Sequence, residues 1–392
     1  MPFVNDTAHA FVPYPDVPVP QAGSGPLAGL CFAVKDLFDV AGYPTGGGNP
    51  FVLARSGIKT RHAATVQRLL DAGARFIGKT VTDEFAFSLN GNNAHFGAPV
   101  NGAAPSRIAG GSSSGSASAV SSRLADFALG TDTGGSVRAP ANHCGLYGIR
   151  PTQGRVGLQG CMDLSPSFDT CGYFARDIGT FARVSDVVLG QDPAPLPETV
   201  RLLRPVDVWQ LLAPEVTAAF AEPSGRVEQA LGAAAPITVA LEDFDAMYLH
   251  YRYVQGREAW TSHGGLIEHH AIPLGPGVAE RFAWARGVTD AQVGVATAYR
   301  NRFRTHLARL LGADGVLLMP TLPDVAPLRS DSEASLDRYR HAAFRMLCLA
   351  GLAGFPQLSM PLARRIDAPL GLSLLGPAGS DRSLVALAER IG

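Results

Sequence analysis

Two stretches of this chain combine glycines for close backbone approach with serines that can react. They are AGGSSSGSASAV at 109–120 and GTDTGGSVR at 130–138. The first has no charge and no aromatic residue, and five of its twelve residues are serine. A flexible linker has that composition, and so does a loop pressed against a reacting group. The second stretch supplies what acyl transfer requires. Consecutive glycines let several N–H groups converge on one point, and Ser136 follows them at an expected helix start. Those N–H groups and the helix dipole can hold an oxyanion while the hydroxyl attacks. A phosphate cradle also uses glycines, but GxxxxGK[ST] is missing and no lysine follows the turn.

A serine hydroxyl attacks only when a base takes its proton. Of the ten histidines, His143 is the one near the glycine turns. No GxSxG elbow or Asp/His order accompanies it, so it reads as a helix histidine satisfied by its surroundings. The other route is a lysine held neutral by burial. Basic residues comprise thirty arginines and three lysines, Lys35, Lys59 and Lys79. Arginine stays protonated, so a lysine kept in so arginine-rich a chain is a candidate base. Lys35 ends the apolar run LCFAV, read as a strand. Lys79, in GKT, has no serine partner in its segment, and Lys59 lies in a polar loop, read as solvated. Residue types alone leave the choice of base open.

These residues need elements to position them. HAATVQRLLDAGARFIGKT (62–80) reads as a helix, a glycine break and a strand. GSASAVSSRLA reads as a small-residue helix and DFALG as a strand, and TDTGGSVRAPA as a tight turn entering a buried helix. The C-terminal third repeats the alternation with GVLLMPTLP, LDRYRHAAFRMLCLAGLAG, PQLSMPL, LGLSLLGP and DRSLVALAERIG. A linker at 109–120 would cut this alternation in half, which favours the catalytic-loop reading. The fold class is α/β, with a large sheet covered by helices. Residues 1–26 read as an extended, proline-punctuated arm. Residues 180–310 carry no readable motif, yet hold all three tryptophans.

A chain of 392 residues, 46% hydrophobic and 17% charged, buries a large core. A net charge of −1 and pI near 6.8 leave no electrostatic footprint for nucleic acid or an anionic membrane. No apolar run is long enough to span a bilayer, and the N-terminus has no signal-peptide pattern. Five scattered cysteines without CxxC spacing fit reduced thiols in a cytoplasm and argue against a zinc site.

GGSSSGSA (110–117) and GTDTGGSVRAP (130–140), with Ser136 24 positions after Ser112, resemble the amidase signature family. AVKDLFDV resembles its lysine segment, and GKTVTDEFAFSLNGNNAHFGAPVN its next helix and loop. GLYGIRPTQGRVG, SPSFDTCGYFARD, GVLLMPTLP and LAGLAGFPQLSMP match further blocks. Only about 180–310 lies outside the resemblance. NPF, NGNNAHFG and GTDTGGSVRAPANHCG bring it nearest to indole-3-acetamide amidohydrolases of the plant type.

The resemblance implies one domain over 1–392, with a single large mixed sheet, and 180–310 as a variable substrate-pocket region. It implies Ser136 as nucleophile, Ser112 as bridging hydroxyl on a cis peptide, and Lys35 as neutral base. Ser113 would help to position the lysine, and the N–H groups of Thr133, Gly134, Gly135 and Ser136 would hold the oxyanion. The family's GGSSGGS is GGSSSGS here, so Ser114 stands for a glycine and needs a negative φ. Asp132 and Arg138 read as locks on the turn, and Arg155 and Arg176 as structural. The expected activity is hydrolysis of a primary amide to acid and ammonia, with no metal or cofactor. The expected partner is a small-molecule amide, with neither nucleic acid nor membrane, and a homodimer is compatible with the sequence. Alternatives are the amidase subunit of a glutamine-dependent transamidation complex, expected to be longer with a helical start, and an inactive scaffold homologue. Trp209, Trp260, Trp284, Phe244, Tyr248, Tyr251, Tyr253 and Phe282 could line a slot for an arylacetamide. Arg252, Arg257, Arg281 and Arg286 in the same region would suit an acidic substrate.

Overall fold

The computed structural model describes residues 5–392. Ten strands form one sheet: β1 (Cys31–Lys35), β2 (Arg75–Thr80), β3 (Phe127–Thr131), β4 (Tyr147–Arg150), β5 (Cys171–Ala175), β6 (Arg201–Pro205), β7 (Ala235–Ile237), β8 (Gly315–Pro320), β9 (Gln357–Arg365) and β10 (Ala368–Leu375). Their order across the sheet is β2-β1-β3-β5-β4-β9-β10-β8-β6-β7. The outer strands β2, β1, β3 and β8, β6, β7 run parallel to their neighbours within each set. The pairings from β3 through β5, β4, β9 and β10 to β8 are antiparallel. The expected mixed α/β sheet is therefore the observed one.

Alternation along the strands sorts side chains onto two faces. Phe32, Val34, Phe127, Leu129 and Tyr173 pack against Val66 and Leu69 of the helix Ala64–Asp71 and Phe181 of the helix Ile178–Val188. Ala33, Ala128 and Phe174 face the other way. They meet Ala117 and Val120 of the helix Ser114–Ser121 and Ala141 of the helix Arg138–Cys144. Small residues on both sides of this second interface let the two helices lie close to the sheet. Gly115 shows how close. Its N–H donates to the Val81 carbonyl at 3.0 Å, and a Cβ there would fall 2.3 Å from the Ala10 oxygen. The chain enters one helix from Ser112 and Ser113 and the other from Ser136, so the packing delivers both serine turns to the ends of β1 and β3.

A buried carboxylate fixes the second turn. Asp132 is fully buried and receives Arg138 through two N–H groups, at 2.9 and 3.0 Å. Arg150 of β4 donates to the same carboxylate at 3.1 Å and to the Thr133 carbonyl at 3.0 Å. The backbone N–H groups of Gly135, Val137 and Arg138 also point to Asp132. Burial alone would raise its pKa, but Arg138 and Arg150 hold it well below the ordinary carboxylate range. Asp132 and Arg138 thus act as the expected locks. Arg155 and Arg176 cap backbone carbonyls, among them those of Leu189 and Val120.

The edges of the sheet are treated differently from its middle. Along β2, Val12 donates to the Lys79 carbonyl and Val81 donates to that of Ala10, each at 2.9 Å. Residues 10–12 of the arm thus lie along this edge, its later residues bond Tyr43 and Leu70 instead, and residues 1–4 are outside the described residues. The opposite edge, β7, has three residues and includes Pro236. Between β6 and β8 the weakly patterned region is mainly helical, dominated by the helices Phe244–His270 and Asp290–Leu311. Its periodicity is hard to read because the buried side of the first helix mixes Tyr248 and Tyr251 with Gln255, Gly256 and His263.

Asp132→Asn leaves two buried guanidinium groups without their counter-charge, a loss of about 3–5 kcal/mol for breaking such a pair. Urea unfolding should show that loss, and activity should fall with it. Gly115→Ala should cost about 1–3 kcal/mol by overpacking, with activity falling as the serine turn shifts. Unchanged stability in either variant would refute the role given to that residue.

Candidate active site

Lys35, the last residue of β1, is fully buried. Its Nζ lies 2.8 Å from Ser112 Oγ and 2.7 Å from Thr131 Oγ1. No salt bridge reaches this amine among the described residues. Burial, the largest influence, lowers its pKa to about 8, against the opposing pull of Asp83, Cys161, Asp169 and Asp132. It is therefore a lysine poised to lose its proton near neutrality.

Ser112 follows a cis Gly111–Ser112 peptide bond. Its carbonyl accepts from the Asp83 N–H at 3.1 Å and from Thr82 Oγ1 at 3.0 Å, which clamps the turn to the segment after β2. Ser113 is the residue expected to help position the lysine. No bond joins it to Lys35. Its hydroxyl instead exchanges hydrogen bonds with the Thr131 backbone at 3.3 Å, and its N–H donates to the Ser136 carbonyl at 3.4 Å. Thr131 is the direct contact that sequence reasoning missed. No local signal marks it, because Thr131 meets Lys35 only once β1 and β3 become parallel neighbours, with Val34 opposite Leu129.

Ser136 is 5% exposed and borders the small cavity beside it. Among the expected oxyanion donors, the Gly135 N–H is already given to Asp132 at 2.8 Å. Gly135 therefore leaves that set, because the carboxylate that shapes the turn also occupies its donor. The N–H groups of Thr133, Gly134 and Ser136 have no acceptor among the described residues. Thr133 is tied back through its hydroxyl to Asp169 at 2.5 Å. Ser114 has negative φ and opens its helix, as its replacement of glycine requires.

The remaining candidates lie elsewhere in the chemistry. Lys79 is buried but paired with Asp36 at 2.7 Å and bonded to Thr45 and Pro44. Lys59 is partly exposed beside Asp39 at 3.6 Å. His143 is bonded to the Tyr339 hydroxyl at 3.0 Å, and burial pushes its pKa down to about 3. Among the described residues, no cluster of His, Cys, Asp or Glu could hold a metal ion. No helix there is long and apolar enough to cross a membrane.

The cavity bordering Ser136 has a volume of ≈ 20 Å³ and is lined by Phe87, Gln255, Arg281, Arg340 and Phe344, among others. None of the eight aromatics expected to form a slot is in this lining. Trp209 packs against Phe220 and Arg204, Trp284 against Tyr253 and Arg252, and Tyr251 against Phe168. Of the four arginines noted in that region, Arg281 reaches the cavity. Arg340 and Phe344 come from the helix Glu333–Ala353, which the sequence marked only as a helix.

A family model described as Amidase matches residues 8–228. Amidase 1 of Arabidopsis thaliana is 36% identical, over 99% of this chain and 98% of its own length. A glutamyl-tRNA(Gln) amidotransferase subunit of Thermus thermophilus is 32% identical, over 93% of this chain and 84% of its own. A solved structure described as an amidase superposes with a TM-score of 0.84 at 31% identity, covering 94% of this chain and 85% of that one. With the serine turns, the buried lysine and the mixed sheet in place, the chain belongs to the amidase signature family.

Proposed function

We propose that this amidase hydrolyses a primary carboxamide to acid and ammonia through an acyl-enzyme on Ser136. The observation that carries the proposal is the Lys35–Ser112 contact at 2.8 Å, made by a buried amine with no carboxylate bound to it. Neutral Lys35 takes the proton of Ser112 as Ser112 takes that of Ser136, and Ser136 Oγ attacks the amide carbon. The oxyanion forms at the N–H groups of Thr133, Gly134 and Ser136. The same relay returns a proton to the nitrogen, which leaves as ammonia. Water then attacks the ester, its proton following the path to Lys35, and Ser136 is restored. Ser112 and Lys35 act on protons alone, and Asp132 holds the turn.

For the acyl group, an arylacetamide such as indole-3-acetamide is the reading drawn from the family resemblance. Phe87 and Phe344 offer it two rings, but a cavity the size of about one water admits an indole only after Arg281, Arg340 or Phe344 has swung aside. The alternative of a transamidation subunit draws on the similarity to the Thermus thermophilus amidotransferase. Ammonia release by the isolated chain would set it aside.

The test is ammonia release over aliphatic, aryl, indolyl and acidic primary amides, with hydroxylamine added to trap the acyl group as hydroxamate. Ser136→Ala should abolish both products, and Lys35→Arg should lower kcat/KM by about 10²–10⁴-fold. The base is active when neutral, so lowering the pH through about 8 protonates Lys35 and removes activity. Below pH 7, kcat/KM should fall about tenfold per unit, and it should level off above about pH 9. A flat profile from pH 6 to 9, or near-normal turnover by Ser136→Ala, would refute the mechanism.

A further inference from the structure

The cavity beside Ser136 holds two guanidinium groups and no carboxylate in its lining. Arg281 projects from the helix Val278–Arg286 and Arg340 from the helix Glu333–Ala353. Neither side chain makes a hydrogen bond among the described residues, and the Nε–H of each is buried without an acceptor. Arg340 has a loose ion pair with Asp337, 3.6 Å away and itself 63% exposed. Arg281 has no ion pair among the described residues.

The rest of the interior treats arginine differently. Arg138 gives its N–H groups to Asp132, Leu347 and Gln357. Arg150 gives its own to Asp132, Thr133 and Phe168, and Arg300 bonds Ser167 twice. At the cavity, by contrast, two neighbouring guanidinium groups keep their donors free. Burial, then repulsion from Arg340, lowers the Arg281 pKa to about 10, which leaves it charged at neutral pH. Both guanidinium groups are half-buried, and two like charges held side by side with no carboxylate at hydrogen-bond distance are unfavourable. An anion bridging the two would relieve both, through charge-assisted hydrogen bonds that arginine forms well with carboxylates.

Resting on Ser136 as the site of acyl transfer, we propose that the substrate is a primary amide whose short acyl chain ends in a carboxylate held by Arg281 and Arg340. Phe87 and Phe344 flank the methylene spacer, and a cavity the size of about one water takes even a short acid only after the two arginine side chains shift onto its carboxylate. Monoamides of small dicarboxylic acids, such as succinamate and glutaramate, have this chemistry. Glutamine is glutaramate with an added ammonium group. That group meets two cations and no lining carboxylate, so glutamine is disfavoured.

The experiment compares kcat/KM of the full chain for glutaramate and succinamate with that for the neutral pentanamide and butanamide, and for glutamine. The acids should exceed the neutral amides and glutamine by tenfold or more. In Arg281→Gln and in Arg340→Gln the acid-to-neutral ratio should fall by at least tenfold, and Arg281→Lys should restore part of it. Equal values for acid and neutral amides, or a ratio unmoved by both Gln variants, would overturn the proposal. Calorimetric binding to the Ser136→Ala chain supplies a readout without turnover. Glutaramate binding tighter than pentanamide supports the carboxylate site, and equal or absent binding overturns it. Failure of the wild-type chain to hydrolyse any amide would count against the reaction on Ser136, while the binding measurement would still decide the carboxylate site.

Discussion

The site depends on one buried carboxylate. Asp132 sits between Arg138 and Arg150, all three fully buried, and also collects three backbone N–H groups of the turn that carries Ser136. Five groups from two elements thus converge on two oxygens. The turn's shape is set by charge-assisted bonds rather than by packing of its small side chains, which could not hold it. The arrangement also decides which N–H groups remain for an oxyanion, because the one on Gly135 is consumed in making the turn.

Lys35 and Lys79 show how surroundings assign different work to the same side chain. They lie on adjacent parallel strands, with Lys79 in register with Val34, and both are buried. Lys79 meets Asp36 and becomes half of an ion pair. Lys35 meets two hydroxyls, which offer no compensating charge, and burial lowers its pKa. A carboxylate in the place of Thr131 would turn the base into a structural cation.

Much of this was legible because glycine and serine turns are local. The sheet's alternation and the small-residue helices follow from short stretches whose steric demands can be read directly, while the grouping of Lys35 with Ser112 and Ser136 came from the family resemblance those stretches carry. Thr131 escapes such a reading because its role depends on which strands become neighbours. Gly135 belongs among the oxyanion donors by the family resemblance, because a motif shows an N–H group and not its acceptor. Arg340 and Phe344 lie some two hundred residues from Ser136 and reach it by packing alone, so their helix gives no sign of the cavity. The aromatics of the middle region are noticeable as a group, yet most become ordinary contacts between helices.

The two borders of the sheet bear on how copies of the chain can meet. Open strand edges are templates for pairing with another molecule. Here β2 is overlaid by the chain's own Ala10–Val12 segment, and β7 offers three residues with a proline among them. Main-chain augmentation across either border is therefore obstructed. Self-association, where it occurs, has to be built from side chains on helical surfaces. That kind of contact can be gained or lost by surface substitution without disturbing the sheet that holds Lys35 and Thr131 side by side.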